Sequence, residues 1–306
     1  DDSRTFELAL LDLNLPDAPR GEVVDLVVGA GIKSIVFTTE TNKEQRERIW
    51  KKGIVDYVLK EGMHNLDYLQ QAIERILTNS AIKVLVVDDN LSVQMHTEEM
   101  LRVHNYQVLS AGDGAQALEV FETHPDIRLV VTDSEMPEMN GIELTKKLRK
   151  KYKADELAIL GMSGTTEENL SALFIKNGAN DFLRVPFTPE EFYCRVNQNL
   201  DRLEQIAHLR KLNEEKNRFL GIASHDIRSP LGGILGLCDC YLESPDTVTE
   251  EELNGYFRLI HSSSSHILSL INSLLDVSMI ESGKFKLKLE EADLKALLEE
   301  HTGLIH

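Results

Sequence analysis

The feature that most restricts the fold is an internal repeat across the first two thirds of the chain. Phe6 to Leu13 (FELALLDL) is an apolar, strand-like run with an acid near its end, and Ile127 to Asp133 (IRLVVTD) is a second of the same kind; a proline-containing loop follows each acid. Ser34 to Thr38 (SIVFT) and Ala158 to Ser163 (AILGMS) are buried-strand patterns that end in a hydroxyl residue. Lys60 lies 22 residues after Thr38 and Val185 lies 22 after Ser163, with VDYVLK and NDFLRV closing the two intervals. Repetition at matched spacing predicts two copies of one domain.

Helical patterns fall between these strands, at Asn42 to Lys52, Leu66 to Leu77, Glu143 to Tyr152 and Glu167 to Asn177. Strands alternating with helices predict a parallel sheet covered on both faces. Ligands of such sheets sit beyond the carboxyl ends of the strands, where Asp12, Thr38, Asp133 and Ser163 all fall. The second copy adds a strand of its own, Lys83 to Asp89, which ends in the adjacent acids Asp88 and Asp89.

At 306 residues the chain has room for about two domains and a third small one. It carries 33 Lys plus Arg against 51 Asp plus Glu, a formal charge of −18, which argues against a nucleic-acid-binding surface. Cys194, Cys238 and Cys240 supply neither a disulfide framework nor a zinc site. No apolar run approaches the roughly 18 residues of a membrane span, and Asp1-Asp2-Ser3-Arg4 has no signal-peptide layout, so a cytoplasmic location is expected.

With VLVVDDN, VVTDSEMPEMNG, LGMSG and NDFLRVPF in order, residues 81–194 resemble a response-regulator receiver domain, and residues 1–80 resemble the later part of another. Two acids at one strand end and a third 45 residues on put three carboxylates in one pocket, a set that calls for a cation such as Mg²⁺. The resemblance implies that Asp133 is the phosphoacceptor, that Asp88 and Asp89 hold Mg²⁺ with Asp133, that the Glu135 carbonyl adds a ligand, and that Ser163 contacts the phosphoryl group. Phe182 takes the aromatic switch position, which plain packing explains equally well.

Each copy departs from the receiver pattern. Val185 stands where the family has a lysine, and strand alternation points the neighbouring Arg184 to the opposite face. The first copy has Asp12 as a candidate phosphoacceptor, Thr38 and Lys60 as phosphate contacts and Tyr57 as the switch aromatic. Its metal acids would fall before residue 1, and Asp1 and Asp2 cannot replace them. The first copy is therefore expected to be N-terminally incomplete or degenerate, with a sheet whose apolar edge and faces lack cover.

From Val196 the pattern turns to long helices. Val196, Leu200, Leu203, Ile206, Leu209 and Leu212 recur at spacings of three and four, which fits a coiled coil or an amphipathic helix lying on the receiver. The segment RFLGIASHDIRSPLGGILG then resembles the H-box of sensor histidine kinases, and LINSLLDVSMIESG (Leu270 to Gly283) resembles the end of their second dimerisation helix. A turn is expected at Ser244-Pro245-Asp246, with Thr247 and Glu250 as a capping box for the second helix. Two such hairpins would make a four-helix bundle in a homodimer.

His225 should face solvent, with Ile222, Ala223, Ile227 and Leu231 inward, and its imidazole is a nucleophile near neutral pH. The resemblance makes His225 the phosphoacceptor and gives Asp226 the role of orienting the ring and taking its proton, although neighbours on a helix meet only by a side-chain swing. Ser229 shares the face of His225 and could position water. Pro230 cannot donate to the Asp226 carbonyl, which allows a kink.

The expected class is thus α/β receiver domains, each a doubly wound parallel sheet of flavodoxin-like type, followed by an all-α dimerising hairpin. The expected divisions are 1–80, receiver 81–194, coiled coil 195–218, phosphotransfer hairpin 219–283, and 284–306 as the start of an ATP-binding domain, with a strand at Lys284 to Leu289 and a helix at Asp293 to His301. The family's nucleotide motifs are missing, so ATP acts only through a domain absent from this sequence. The reading is the regulatory and dimerisation portion of a two-component histidine kinase that passes phosphoryl groups to a response regulator. Its alternative is a non-catalytic phosphotransfer or scaffolding protein.

Overall fold

The computed structural model describes residues 6–281 except 17, 19–20, 61–63, 166–168 and 246–247. The strand and helix expected at Lys284 to Leu289 and Asp293 to His301 lie outside the described residues, as do Asp1 and Asp2. The chain forms two compact units, divided between Leu209 and Arg210.

The first unit holds two lobes. In the N-terminal lobe β1 (Leu8–Leu11), β2 (Lys33–Thr38) and β3 (Asp56–Leu59) form a parallel sheet in that order. Helices α1 (Glu22–Gly29) and α2 (Lys43–Trp50) cover one face, where Leu13, Val24, Val36, Ile49 and Tyr57 are buried together. Helix α3 (His64–Thr78) covers the other with Leu69 and Ile76. The expectation of bare apolar faces is corrected, since three helices and Val103 of the second lobe shield them, while Leu10 on the edge strand β1 stays exposed.

The second lobe is a five-stranded parallel sheet of order β5-β4-β6-β7-β8, formed by β4 (Lys83–Val87), β5 (Gln107–Ala111), β6 (Ile127–Asp133), β7 (Ala158–Ser163) and β8 (Asp181–Arg184). Its central strands are buried on both faces, and alternation sends successive residues into different cores. Val84 and Val86 meet Leu129, Val131 and Leu160 on one side, while Leu85 and Val87 meet Val130, Ile159 and Phe174 on the other. Helices α4 (Leu91–Val103), α5 (Gly114–Thr123), α6 (Gly141–Arg149) and α7 (Leu170–Lys176) connect the strands. Asn90, Asp113 and Asn140 cap the first three of these by accepting from backbone N–H groups of the opening turn.

Helix α8 runs from Pro189 to Glu243 and corrects one reading of the sequence. Val196, Leu200 and Leu203 are buried in the receiver core beside Met100 and Tyr106 rather than forming a seam between chains. Of the six residues assigned to a coiled coil, Leu209 and Leu212 are exposed. A helix closing a sheet and a coiled coil share the three-four spacing, so periodicity could not separate them.

The lobes are joined by polar links as well as apolar ones. Lys33 Nζ donates to the Arg102 and Val103 carbonyls at the end of α4, at 2.9 and 3.0 Å. Trp50 Nε1 donates to Glu190 at 2.7 Å, Arg46 pairs with Glu190 at 2.7 Å, and Arg75 pairs with Asp201.

The second unit contains the later part of α8 and α9 (Glu250–Glu281). Helix α8 ends at Glu243, just before the expected turn, of which Asp246 lies outside the described residues; the capping box is corrected. Thr249 accepts from the Glu252 N–H at 3.2 Å, and Glu252 accepts from the Thr249 N–H at 2.9 Å. The pair has the required i, i+3 spacing and stands two residues beyond the one expected, of which Thr247 lies outside the described residues. Half-buried positions on α9, at Leu253, Tyr256, Ile260, Ser263, Ile267, Leu270 and Leu274, alternate by three and four. Those on α8 do the same at Ala223, Ile227, Pro230 and Ile234. Ile222 and Leu231, expected inward, are exposed in the single chain: at about 100° per residue they lie about 110° and 70° around the helix from the centre of that stripe.

Candidate functional site

The carboxyl ends of β4, β6 and β7 bring the acids of the second lobe together. Val87 pairs with Thr132 and Asp133 with Met162, so Asp88, Asp133 and Ser163 share one end of the sheet. Asp88 is buried, and its Oδ1 accepts from the Asn90 N–H at 2.9 Å. Burial, followed by the charges of Asp133 and Asp89, pushes its carboxyl up to about 6. Burial likewise raises Asp133, with the Asp89 and Glu135 charges adding to it, although its Oδ2 accepts from the Glu135 N–H at 3.0 Å. No lysine or arginine pairs with Asp88, Asp89 or Asp133 among the described residues. Carboxylates raised by burial and by one another's charge, without a counter-charge, fit a divalent cation.

Among the described residues no three His, Cys, Asp or Glu side chains close around one point as a complete metal cage. A small hard cation that keeps several waters and uses one or two carboxylates needs no such cage. Ser163 is buried at the end of β7 and shares a 2.9 Å hydroxyl contact with Thr165. Phe182 packs against Phe174 with ring centroids 5.6 Å apart. Val185 is half-buried on the core face opposite to Phe182, and Arg184 is exposed.

Two supports went unread in the sequence. Gln94 is buried and its amide donates to the Asp88 and Ala111 carbonyls, which fixes the loop carrying the acids. Gly141 approaches the Asp133 backbone so closely that a Cβ there would stand 2.0 Å from the Asp133 carbonyl oxygen. The glycine of EMNG was the available signal for the second.

The N-terminal lobe has the complementary set. Lys60 Nζ pairs with Asp12 at 2.5 Å, and this contact holds the Asp12 carboxyl below its usual range. Thr38 is buried at the end of β2, and the buried Tyr57 donates its hydroxyl to the Glu40 carbonyl at 2.8 Å. This lobe thus has a lysine facing its aspartate where the second has acids without a lysine.

On α8 the His225 side chain is 81% exposed and its Nδ1 stands 3.2 Å from Asp226 Oδ1. The swing required between helix neighbours is therefore made. Ala223 and Ile227 lie on the half-buried stripe, which leaves His225 on the opposite side, with Ser229 exposed one turn later. The helix continues through Pro230.

Comparison with known proteins bears on this geometry. Residues 84–197 match the response regulator receiver domain, and residues 215–283 match the His Kinase A (phospho-acceptor) domain. The hybrid signal transduction histidine kinase D of Dictyostelium discoideum is 30% identical over 71% of this chain, which spans 17% of that kinase. A chemotaxis protein CheY homolog of Campylobacter jejuni is 37% identical, covering 36% of this chain and 85% of its own length. A crystal structure of a two-component system response regulator/GGDEF domain protein is 43% identical, with a TM-score of 0.60, over 64% of this chain and 80% of that one. No helix among the described residues is long and apolar enough to cross a membrane. With a receiver and a histidine phospho-acceptor domain in one polypeptide, the chain belongs to the two-component signal-transduction proteins.

Proposed function

We propose that this chain is the regulatory and phospho-accepting portion of a histidine kinase, and that His225 takes the γ-phosphoryl group of ATP from a separate catalytic domain. The observation that carries the reading is an exposed imidazole with Nδ1 against Asp226. Asp226 holds the ring and accepts the Nδ1 proton while Nε2 attacks phosphorus and the bond to ADP breaks. The phosphoryl group then passes to an aspartate of a response regulator, and Ser229 positions water for its removal.

Asp133 is the phosphoacceptor we assign to the second lobe, with Ser163 as its phosphoryl contact. Asp88, Asp89 and Asp133, with the Glu135 carbonyl, would hold Mg²⁺, which supplies charge neutralisation at the transferring oxygens. Phe182 is the switch aromatic of this reading, weakened by Val185. The N-terminal lobe is read as a second, partial receiver with Asp12, Thr38, Lys60 and Tyr57 in the matching places. The 43% match in its support extends over 64% of the chain, more than residues 84–197 alone. The second apolar stripes of the hairpin, including Leu235, Phe257, Leu268 and Ile271, are exposed in one chain and support a homodimer.

The test is incubation with labelled ATP and a separately supplied histidine-kinase catalytic domain. Acid-labile label is expected on the wild type and none on His225→Gln. Labelling of the variant, or of the wild type by ATP alone, would refute the assignment.

A further inference from the structure

Between α2 and α3 of the N-terminal lobe and α4 and α8 of the second lies a cleft of about 350 Å³. Trp50, Tyr68 and Tyr193 supply its aromatic walls, with the Trp50 and Tyr193 centroids 6.0 Å apart. Three acids line it, and two of them are neutralised: Glu190 by Arg46 and Asp201 by Arg75. The third, Asp56, accepts from the Tyr68 hydroxyl at 2.6 Å and the Tyr57 N–H at 2.7 Å but has no ion-pair partner among the described residues.

His104 forms another part of the wall and is only 5% exposed. Its ring stacks on Tyr193 at 3.6 Å and hydrogen-bonds to the Val55 backbone, while Nε2 has no partner among the described residues. Burial keeps this imidazole neutral, down to about 3, so it adds no positive charge to the wall. A carboxylate without an ion pair, raised by burial above its usual range and walled by aromatic rings, complements a small organic cation.

We propose that this cleft binds a small organic ammonium ion, paired with Asp56 and held between the aromatic walls. Both lobes build the site, and its occupant would touch α8 at Glu190 and Tyr193, which gives the N-terminal lobe a sensing role independent of phosphoryl chemistry at Asp12.

Trp50 is the single tryptophan, so its emission reports the cleft directly. The chain would be titrated with benzylammonium chloride at fixed ionic strength, with benzyl alcohol as the neutral match. A saturable change with benzylammonium is expected, at least tenfold weaker in Asp56→Asn, and none with the alcohol. Ala72→Leu narrows the cleft without touching Asp56 and should also weaken binding; it decides the matter if Asp56→Asn loses its cooperative thermal melt. No saturable response, equal affinity for the alcohol, or unchanged affinity in the folded variants would mean a cleft filled by water only, and would overturn the proposal.

Discussion

Mild acid should cost the first unit stability at one residue, His104, a loss that the raised carboxyl of Asp88 opposes in the same pH window and that a His104 variant separates. His104 is buried between the lobes, and desolvation lowers its protonation to about pH 3 from the ordinary 6.5. Above about pH 6.5 the residue is neutral whether folded or unfolded, and stability is unaffected. As pH falls below that, the unfolded chain takes up a proton that the folded chain refuses, so stability is lost progressively down to about pH 3. From 6.5 to pH 5 the loss is roughly 1.5 pH units at about 1.4 kcal/mol each, or about 2 kcal/mol. Urea unfolding followed by Trp50 emission at pH 7.5 and pH 5 measures it. His104→Gln has a packing cost common to both pH values, which cancels in the difference, so its pH-dependent loss should be smaller than that of the wild type by about 2 kcal/mol. Equal losses in the two proteins would refute the reasoning.

Three further outcomes follow from the geometry. Acetyl phosphate with Mg²⁺ should modify the second lobe at Asp133, seen as a single mass increment that disappears in Asp133→Asn and on chelation; label that persists in the variant would move the phosphoacceptor elsewhere. Gly141→Ala sets a Cβ 2.0 Å from a backbone oxygen that cannot yield cheaply, so destabilisation of more than about 2 kcal/mol in thermal or urea unfolding is expected. Ile271→Glu puts a charge on the exposed stripe of α9, and light scattering should show dimer dissociation at least tenfold stronger than in the wild type; a wild type that is monomeric at all concentrations would remove the dimer altogether.

Strands buried on both faces were the most legible part of the fold. β6 and β7 coincide with Ile127–Asp133 and Ala158–Ser163, because a short apolar run ending in an acid or hydroxyl has few alternatives in an alternating pattern. β5 escaped notice: Gln107–Ala111 is an edge strand with exposed and half-buried positions, and its composition is mixed. The acids at the sheet end were readable from strand order alone, since parallel connection forces neighbouring carboxyl ends together. What could not be read was the partner of each surface. Val196, Leu200 and Leu203 carry no mark that says receiver core rather than coiled coil, and Arg46, Arg75 and Lys33 look like ordinary solvated charges until the lobes meet. The cleft at Asp56 and His104 belongs to that class: it arises from residues 48 positions apart whose only relation is tertiary.

The opening turns of α8 also fix where this polypeptide can be cut. A receiver excised at residue 194 would leave behind Val196, Leu200 and Leu203, three side chains that fill the space beside Met100 and Tyr106. The excised piece would be a molecule with a missing wall. Grafting the phospho-accepting hairpin onto another input, or this input onto another output, therefore requires a junction after Leu203, with the donor's helix taking over in mid-turn.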